Sequence, residues 1–202
     1  MDDVISWRQK PIMLLTLMTI AMPVAFHIWS ALLNNFVVEQ AAFTGIEIGI
    51  LQSLREVPGF LAFTAVFVLL IVKEQTFAVL SLALLGLGVA LTGFFPTEYG
   101  LYFTTVLMSI GFHYFEAVKQ ALSLQWLSKA EAPQALGRLI AVGSITSLVV
   151  YGVLWICLEW FTLSYQTNFA LAGGVCMVLS VVMCLAFPHF PSKTVQHKTL
   201  IL

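Results

Sequence analysis

Leu101-Tyr-Phe-Thr-Thr-Val-Leu-Met-Ser-Ile-Gly-Phe-His-Tyr-Phe-Glu-Ala-Val-Lys-Gln-Ala-Leu-Ser-Leu-Gln-Trp126 is the stretch that decides how this chain is read. Its first half is apolar with small residues, as a membrane helix would be. His113, Glu116, Lys119 and Gln120 then fall near the depth of the bilayer centre. A charge there costs roughly 2.5–3.5 kcal/mol on insertion scales, so such groups face protein or water rather than lipid. At about 100° per residue, Tyr102, Thr105, Ser109, His113, Glu116, Gln120 and Ser123 fall within roughly 80° of arc. The helix therefore carries one polar stripe, and the stripe is expected to line a solute pathway.

The rest of the chain supports a membrane setting. Of its 202 residues, 60% are hydrophobic and 9% charged, with mean hydropathy +0.96. Soluble domains carry about 25% charged residues. The net charge is −1 and no basic tract is present, so a nucleic-acid partner is not expected. Cys157, Cys176 and Cys184 sit in apolar runs without CxxC or Cys/His spacing, which reads as buried thiols. Residues 1–11 lead into about 22 largely apolar residues, longer than a signal-peptide core, so a retained first helix is expected.

Windows of about 20 apolar residues cross the hydrocarbon core as helices. Six such spans are expected: Ile12–Leu33, Ile46–Val72, Thr76–Phe95, Leu101–Trp126, Leu139–Trp160 and Phe169–Phe187. Arg8, Lys10, Lys73, Lys129, Arg138, Lys193 and Lys198 all fall on one side, and the opposite connections carry no Lys or Arg. The positive-inside rule places that basic side, with both termini, in the cytoplasm. Trp29, Tyr99, Trp160 and Tyr165 at the outer ends, with Trp7 and Trp126 at the inner ends, fit interfacial belts.

The spans differ in chemistry. The first carries Thr16, Thr19, Pro23, His27, Ser30 and Asn34 within roughly 80° of arc. In the second, Gly45, Gly49, Gln52, Glu56 and Gly59 share a face, with Arg55 beside Glu56 and a kink expected at Pro58. Adjacent residues on a helix do not face each other, so Arg55 and Glu56 are each expected to find a partner on another helix. The fifth span has a small-residue packing pattern, Gly143, Ser144, Ser147 and Gly152. The third and sixth contain no acidic, basic or histidine residue, which suits the lipid side. Polar first and fourth spans and featureless third and sixth spans suggest two inverted three-helix repeats.

Gly45-x-x-x-Gly49-Ile-Leu-Gln-Ser opens the second span, and Ala135-Leu-Gly-Arg138-Leu-Ile-Ala-Val-Gly-Ser144 leads into the fifth. With these motifs and this architecture, residues 12–190 resemble the N-terminal half of a major facilitator superfamily transporter. The resemblance implies an all-α membrane protein of six transmembrane helices, with the first and fourth lining a central cavity. It also implies that residues 188–202 correspond to the start of a central cytoplasmic linker. Two departures stand out. The loop between the second and third spans reads Leu69-Leu-Ile-Val-Lys-Glu-Gln-Thr-Phe77, keeping only Lys73 of the family's basic loop motif, and the fifth span lacks a Gly-Pro motif.

The expected function is transport of a small solute by alternating access, by a multi-pass protein of the bacterial inner membrane. The expected pathway residues are His27, Gln52, Arg55, Glu56, His113, Glu116, Lys119 and Gln120. Lys119, at the stripe's edge, has snorkelling to the interface as its alternative. Lys73 and Arg138 are expected to set topology or to contribute gating contacts. The alternative for the intramembrane charges is a structural network, for example Glu116 or Lys119 paired with Arg55 or Glu56. Expected partners are the bilayer, the solute with a coupling proton or ion, and a second six-helix half or a second copy of the chain. The alternative function is a non-transporting fragment or an assembly protein. A third reading, an intramembrane metal enzyme using His27, His113 and Glu116, lacks any Ser/Lys, Gly-x-Ser-Gly, Asp-pair or His-Glu-x-x-His pattern. No enzyme activity or cofactor is therefore expected.

Overall fold

The computed structural model describes residues 10–191. Trp7, Arg8, Lys193 and Lys198, which entered the orientation argument, lie outside them. The described chain is all-α. The helices are α1 (Pro11–Ala41), α2 (Gly45–Phe60), α3 (Ala65–Leu69), α4 (Glu74–Thr92), α5 (Glu98–Trp126), α6 (Ala132–Glu159) and α7 (Tyr165–Ala186). Four of them, α1, α4, α6 and α7, are long and apolar enough to cross a membrane. α5 has 29 residues, and its polar stripe makes it less apolar than those four.

α1 runs well past the expected Leu33, over 31 residues. At 1.5 Å per residue it is about 46 Å long. Apolar burial carries it on: Phe36 and Val37 are buried, and the Phe36 ring packs edge-on against Phe169 of α7 at 5.2 Å. Tyr165 at the start of α7 donates to Glu39 at 3.0 Å, tying the same end. The expected connection 34–45 shrinks to residues 42–44. Ala42 turns the chain with φ 53°, and the Phe43 N–H donates to the Val37 carbonyl. Thr44 and Glu47 then form a reciprocal capping box that starts α2.

The expected second span, Ile46–Val72, is not one continuous helix. Proline has no N–H to donate to the carbonyl four residues back, and its ring crowds that turn. α2 ends two residues after Pro58, and a 3-10 turn, Ala62–Thr64, leads into the five-residue α3. The Thr64 hydroxyl lies 2.6 Å from the Tyr114 hydroxyl and donates to the Leu61 carbonyl, fastening this break to α5.

The third span was expected on the lipid side, and α4 is instead the most enclosed of the four apolar helices. Of its apolar stretch 61% is buried, against 33% for α7 and 17% for α6. A helix that is apolar all round suits a protein interior as well as lipid. Glycines decide which. A Cβ at Gly111 of α5 would stand 2.3 Å from the Leu85 nitrogen, and one at Gly173 of α7 would stand 2.2 Å from the Gly86 carbonyl oxygen. Backbones therefore touch on two sides of α4, the close approach that small residues permit in membranes. Gly45 and Gly49 of the second span and Gly152 of α6 have no such neighbour, so of the second span's glycines only Gly59 makes a close approach, to the His113 ring. Among the expected belt residues, Tyr99 and Trp160 are exposed, whereas Trp29 and Trp126 are buried within the bundle. Of the thiols only Cys176 is buried; Cys157 is half-buried and Cys184 exposed.

At the basic end, the chain after α7 folds back over α4. Gln75 donates from Nε2 to the Pro188 carbonyl at 3.0 Å and accepts the Phe190 N–H at 2.9 Å. The Phe190 ring packs edge-on against Trp126 at 5.5 Å. One glutamine amide thus closes a clasp across the ends of α4, α5 and α7.

Candidate functional site

The α5 stripe divides along its length. Its N-terminal half packs against α2. The Ser109 hydroxyl donates to the Arg55 carbonyl, and Thr105 is buried. His113 lies against Gly59, where a Cβ would come within 2.9 Å of the ring. Gly59 therefore leaves the space the imidazole fills. Phe26, Arg55, Glu56, Phe112 and His113 enclose a small chamber of about 160 Å³. Phe26 of α1 and Phe112 of α5 stack within it at 4.3 Å and 13° between planes.

The C-terminal half of the stripe faces a larger cavity of about 500 Å³, which is called the inner cavity below because it lies toward the basic connection 127–131. α1 contributes Thr19, Pro23 and His27; α5 contributes Glu116, Lys119, Gln120 and Ser123. α6 closes the third wall with Gly143, Ser144 and Ser147. A Cβ at Gly143 would be 3.3 Å from Thr19, so this glycine does serve close approach of α6 to α1. Ser144 and Ser147, read from the sequence as packing residues, line the cavity instead. Part of each polar stripe meets here, Thr19, Pro23 and His27 of α1 with Glu116, Gln120 and Ser123 of α5, whereas His113 lines the smaller chamber.

The charges do not pair as expected. Arg55 donates to the Glu56 carboxylate through Nε at 2.9 Å and through its terminal nitrogen at 2.7 Å. Neighbouring side chains on a helix diverge, yet the long arginine stem curls back far enough to reach the next residue. Glu116 and Lys119 form an ion pair of 3.5 Å one turn apart on α5. Both pairs close within a single helix, so the inter-helix network between these residues is not formed. Lys119 does not snorkel outward. Its side chain is 17% exposed, and its ammonium lies 5.6 Å from the centre of the Phe115 ring. Glu116, 43% exposed, presents itself to the cavity more than Lys119 does.

His27 lines the cavity and shares a hydrogen bond of 3.1 Å with the Tyr151 hydroxyl, through Nδ1. Tyr151 was missed by the sequence reading, because a lone tyrosine in an apolar run carries no pattern. Gln52 lies on α2 above the small chamber, and its buried Oε1 has no hydrogen-bond partner. The same holds for the Trp29 Nε1 on α1 and the Thr105 Oγ1 on α5. Lys73 precedes α4 and Arg138 lies in the second turn of α6; both are exposed and touch neither cavity. Among the described residues, no three His, Cys, Asp or Glu side chains gather as a metal site.

Compared with protein-family models, with curated proteins and with solved structures, the chain matches none.

Proposed function

We propose that this chain moves a small solute across a membrane by alternating access, as a secondary transporter or one half of one. The observation that carries the reading is the inner cavity, an open space between α1, α5 and α6 lined by Glu116, Lys119, Gln120 and His27. Ionisable groups at such depth mark solute or ion pathways. In this reading α1, α2 with α3, and α4 make three crossings, and α5, α6 and α7 make three more in inverted order. α1 and α5 then hold equivalent places, which accords with both lining the cavity. The basic side faces the cytoplasm of a bacterial inner membrane. The resemblance to half of a major facilitator superfamily transporter assigns the missing wall to a second six-helix half or a second copy of the chain.

The test is flux of radiolabelled small solutes in proteoliposomes carrying the chain, with a matching half supplied where one is found. Glu116→Gln should lower flux at least tenfold, and Arg55→Ala should lower it as well through loss of the outer chamber's pair. Unchanged flux in both variants overturns the pathway.

A second reading is an assembly protein that docks other membrane helices. Its favouring observation is the broad apolar exposure of α6, with Ile145, Leu148 and Trp155 all outward. Purification of the chain in a stoichiometric complex, with no solute flux, would select it.

A further inference from the structure

We propose that the inner cavity takes a protonated organic amine with N–H donors and an aliphatic body. The inference rests on the solute-pathway reading and names the class of ligand for that same cavity.

The hydrogen-bonding state of the wall carries it. The Thr19 hydroxyl donates to the Leu15 carbonyl at 2.8 Å. Ser123 donates to the Lys119 carbonyl at 2.9 Å, and Ser147 to the Gly143 carbonyl at 2.8 Å. A hydroxyl has one proton and two lone pairs. With each proton committed to its own helix, these three oxygens face the cavity as acceptors only. Glu116 adds a carboxylate; its shielded Oε1 is the atom paired with Lys119 at 3.5 Å, so the other carboxylate oxygen is the acceptor left for a ligand. Gln120 is balanced, with acceptor and donors on one amide. The strong donor, Lys119, is held by Glu116 and by the Phe115 ring. Ser144 and His27, which also line the cavity, can donate or accept, so the committed hydroxyls and Glu116 tip the wall toward acceptors, and the matching ligand is rich in donors.

Charge and shape narrow the class. Of the two charges the Glu116 carboxylate is the more exposed, 43% against 17% for Lys119. This favours a cation over an anion. Among the described residues lining the cavity there is no Phe, Tyr or Trp. Quaternary ammonium groups are held by aromatic faces, so a cation bearing N–H groups fits better. Met22, Leu136, Leu139 and Ile140 supply an aliphatic wall for its body. A volume near 500 Å³ lies in the range of small-molecule sites.

The test is isothermal titration calorimetry of the full chain in nanodiscs with hexylamine, hexyltrimethylammonium and hexanoate. Hexylamine should bind saturably, at least tenfold more tightly than the trimethylated cation, and hexanoate should not bind. Glu116→Gln should weaken hexylamine at least tenfold. Ser147→Ala, which leaves the charges in place, should weaken it a few-fold and serves if Glu116→Gln loses its monodisperse elution. Hexanoate binding as tightly as hexylamine, equal binding of the two cations, or no saturable hexylamine binding overturns the proposal. Saturable hexylamine binding without amine flux supports the ligand class and removes the transport reading. Glu116-dependent flux of an anion does the reverse.

Discussion

Glu116 and Lys119 show what single residues contribute. A partly exposed ion pair is worth about 0–1 kcal/mol, so its value here is the arrangement of charge around the cavity. Glu116→Gln leaves the Lys119 ammonium, 17% exposed, with only the Phe115 ring beside it. The thermal midpoint of the detergent-solubilised protein should fall, and adding Lys119→Met should recover most of the loss. A double variant no more stable than Glu116→Gln alone would mean the two charges are uncoupled. The stripe that holds these residues was legible, because 3.6-residue spacing alone puts them on one face. Their partners were not. The reach of an arginine around its own helix, which joins Arg55 to Glu56, depends on rotamers that spacing does not encode.

At the scale of elements, the glycine contacts decide which helix is enclosed. Gly111→Leu would force side-chain atoms into the α4 backbone, where even a Cβ lies 2.3 Å from Leu85 N. Overpacking of this kind costs about 1–3 kcal/mol, to be read as lost thermal stability. A midpoint equal to that of the unsubstituted protein would contradict the α4–α5 contact. The sequence shows these glycines without saying which helix faces them, so α4 read as a lipid-side helix. Pro58 was visible as a disturbance, but whether it kinks or ends the helix depends on what receives the chain next, here Tyr114 of α5 at Thr64.

The clasp beyond α7 adds a pH dependence. Partial burial, and then the nearby Lys73, hold the His189 imidazole below its usual pKa, with Glu74 opposing. A lowered folded-state pKa means the unfolded chain binds more protons, so this contribution is complete above the ordinary histidine value near 6.5. It is lost as pH falls below that value toward the depressed pKa of the folded state. The Phe190 amide, bonded to Gln75, should therefore lose hydrogen-exchange protection in acid relative to amides buried in α4. His189→Gln should flatten that loss. A profile identical in both proteins would show that His189 does not govern the clasp.

For the whole molecule, composition pointed to a membrane protein, and four helices of the all-α fold have the length and apolarity to cross. The cavity is a product of assembly. Thr19, Glu116 and Ser147 are far apart in sequence, and only packing of α1, α5 and α6 brings them to one space. The sequence pointed to two walls through their stripes. It hid the third, because small polar residues on α6 look the same whether they pack or line a cavity. The central claim is that this space is a watered pathway. The most direct measurement replaces Cys157, Cys176 and Cys184, introduces Ser147→Cys, and applies a membrane-impermeant maleimide from the cytoplasmic side of sealed vesicles. Rapid labelling, slowed by a bound ligand, is expected. A thiol at this position that stays unreactive, while a control cysteine at exposed Lys129 reacts fully, would contradict it.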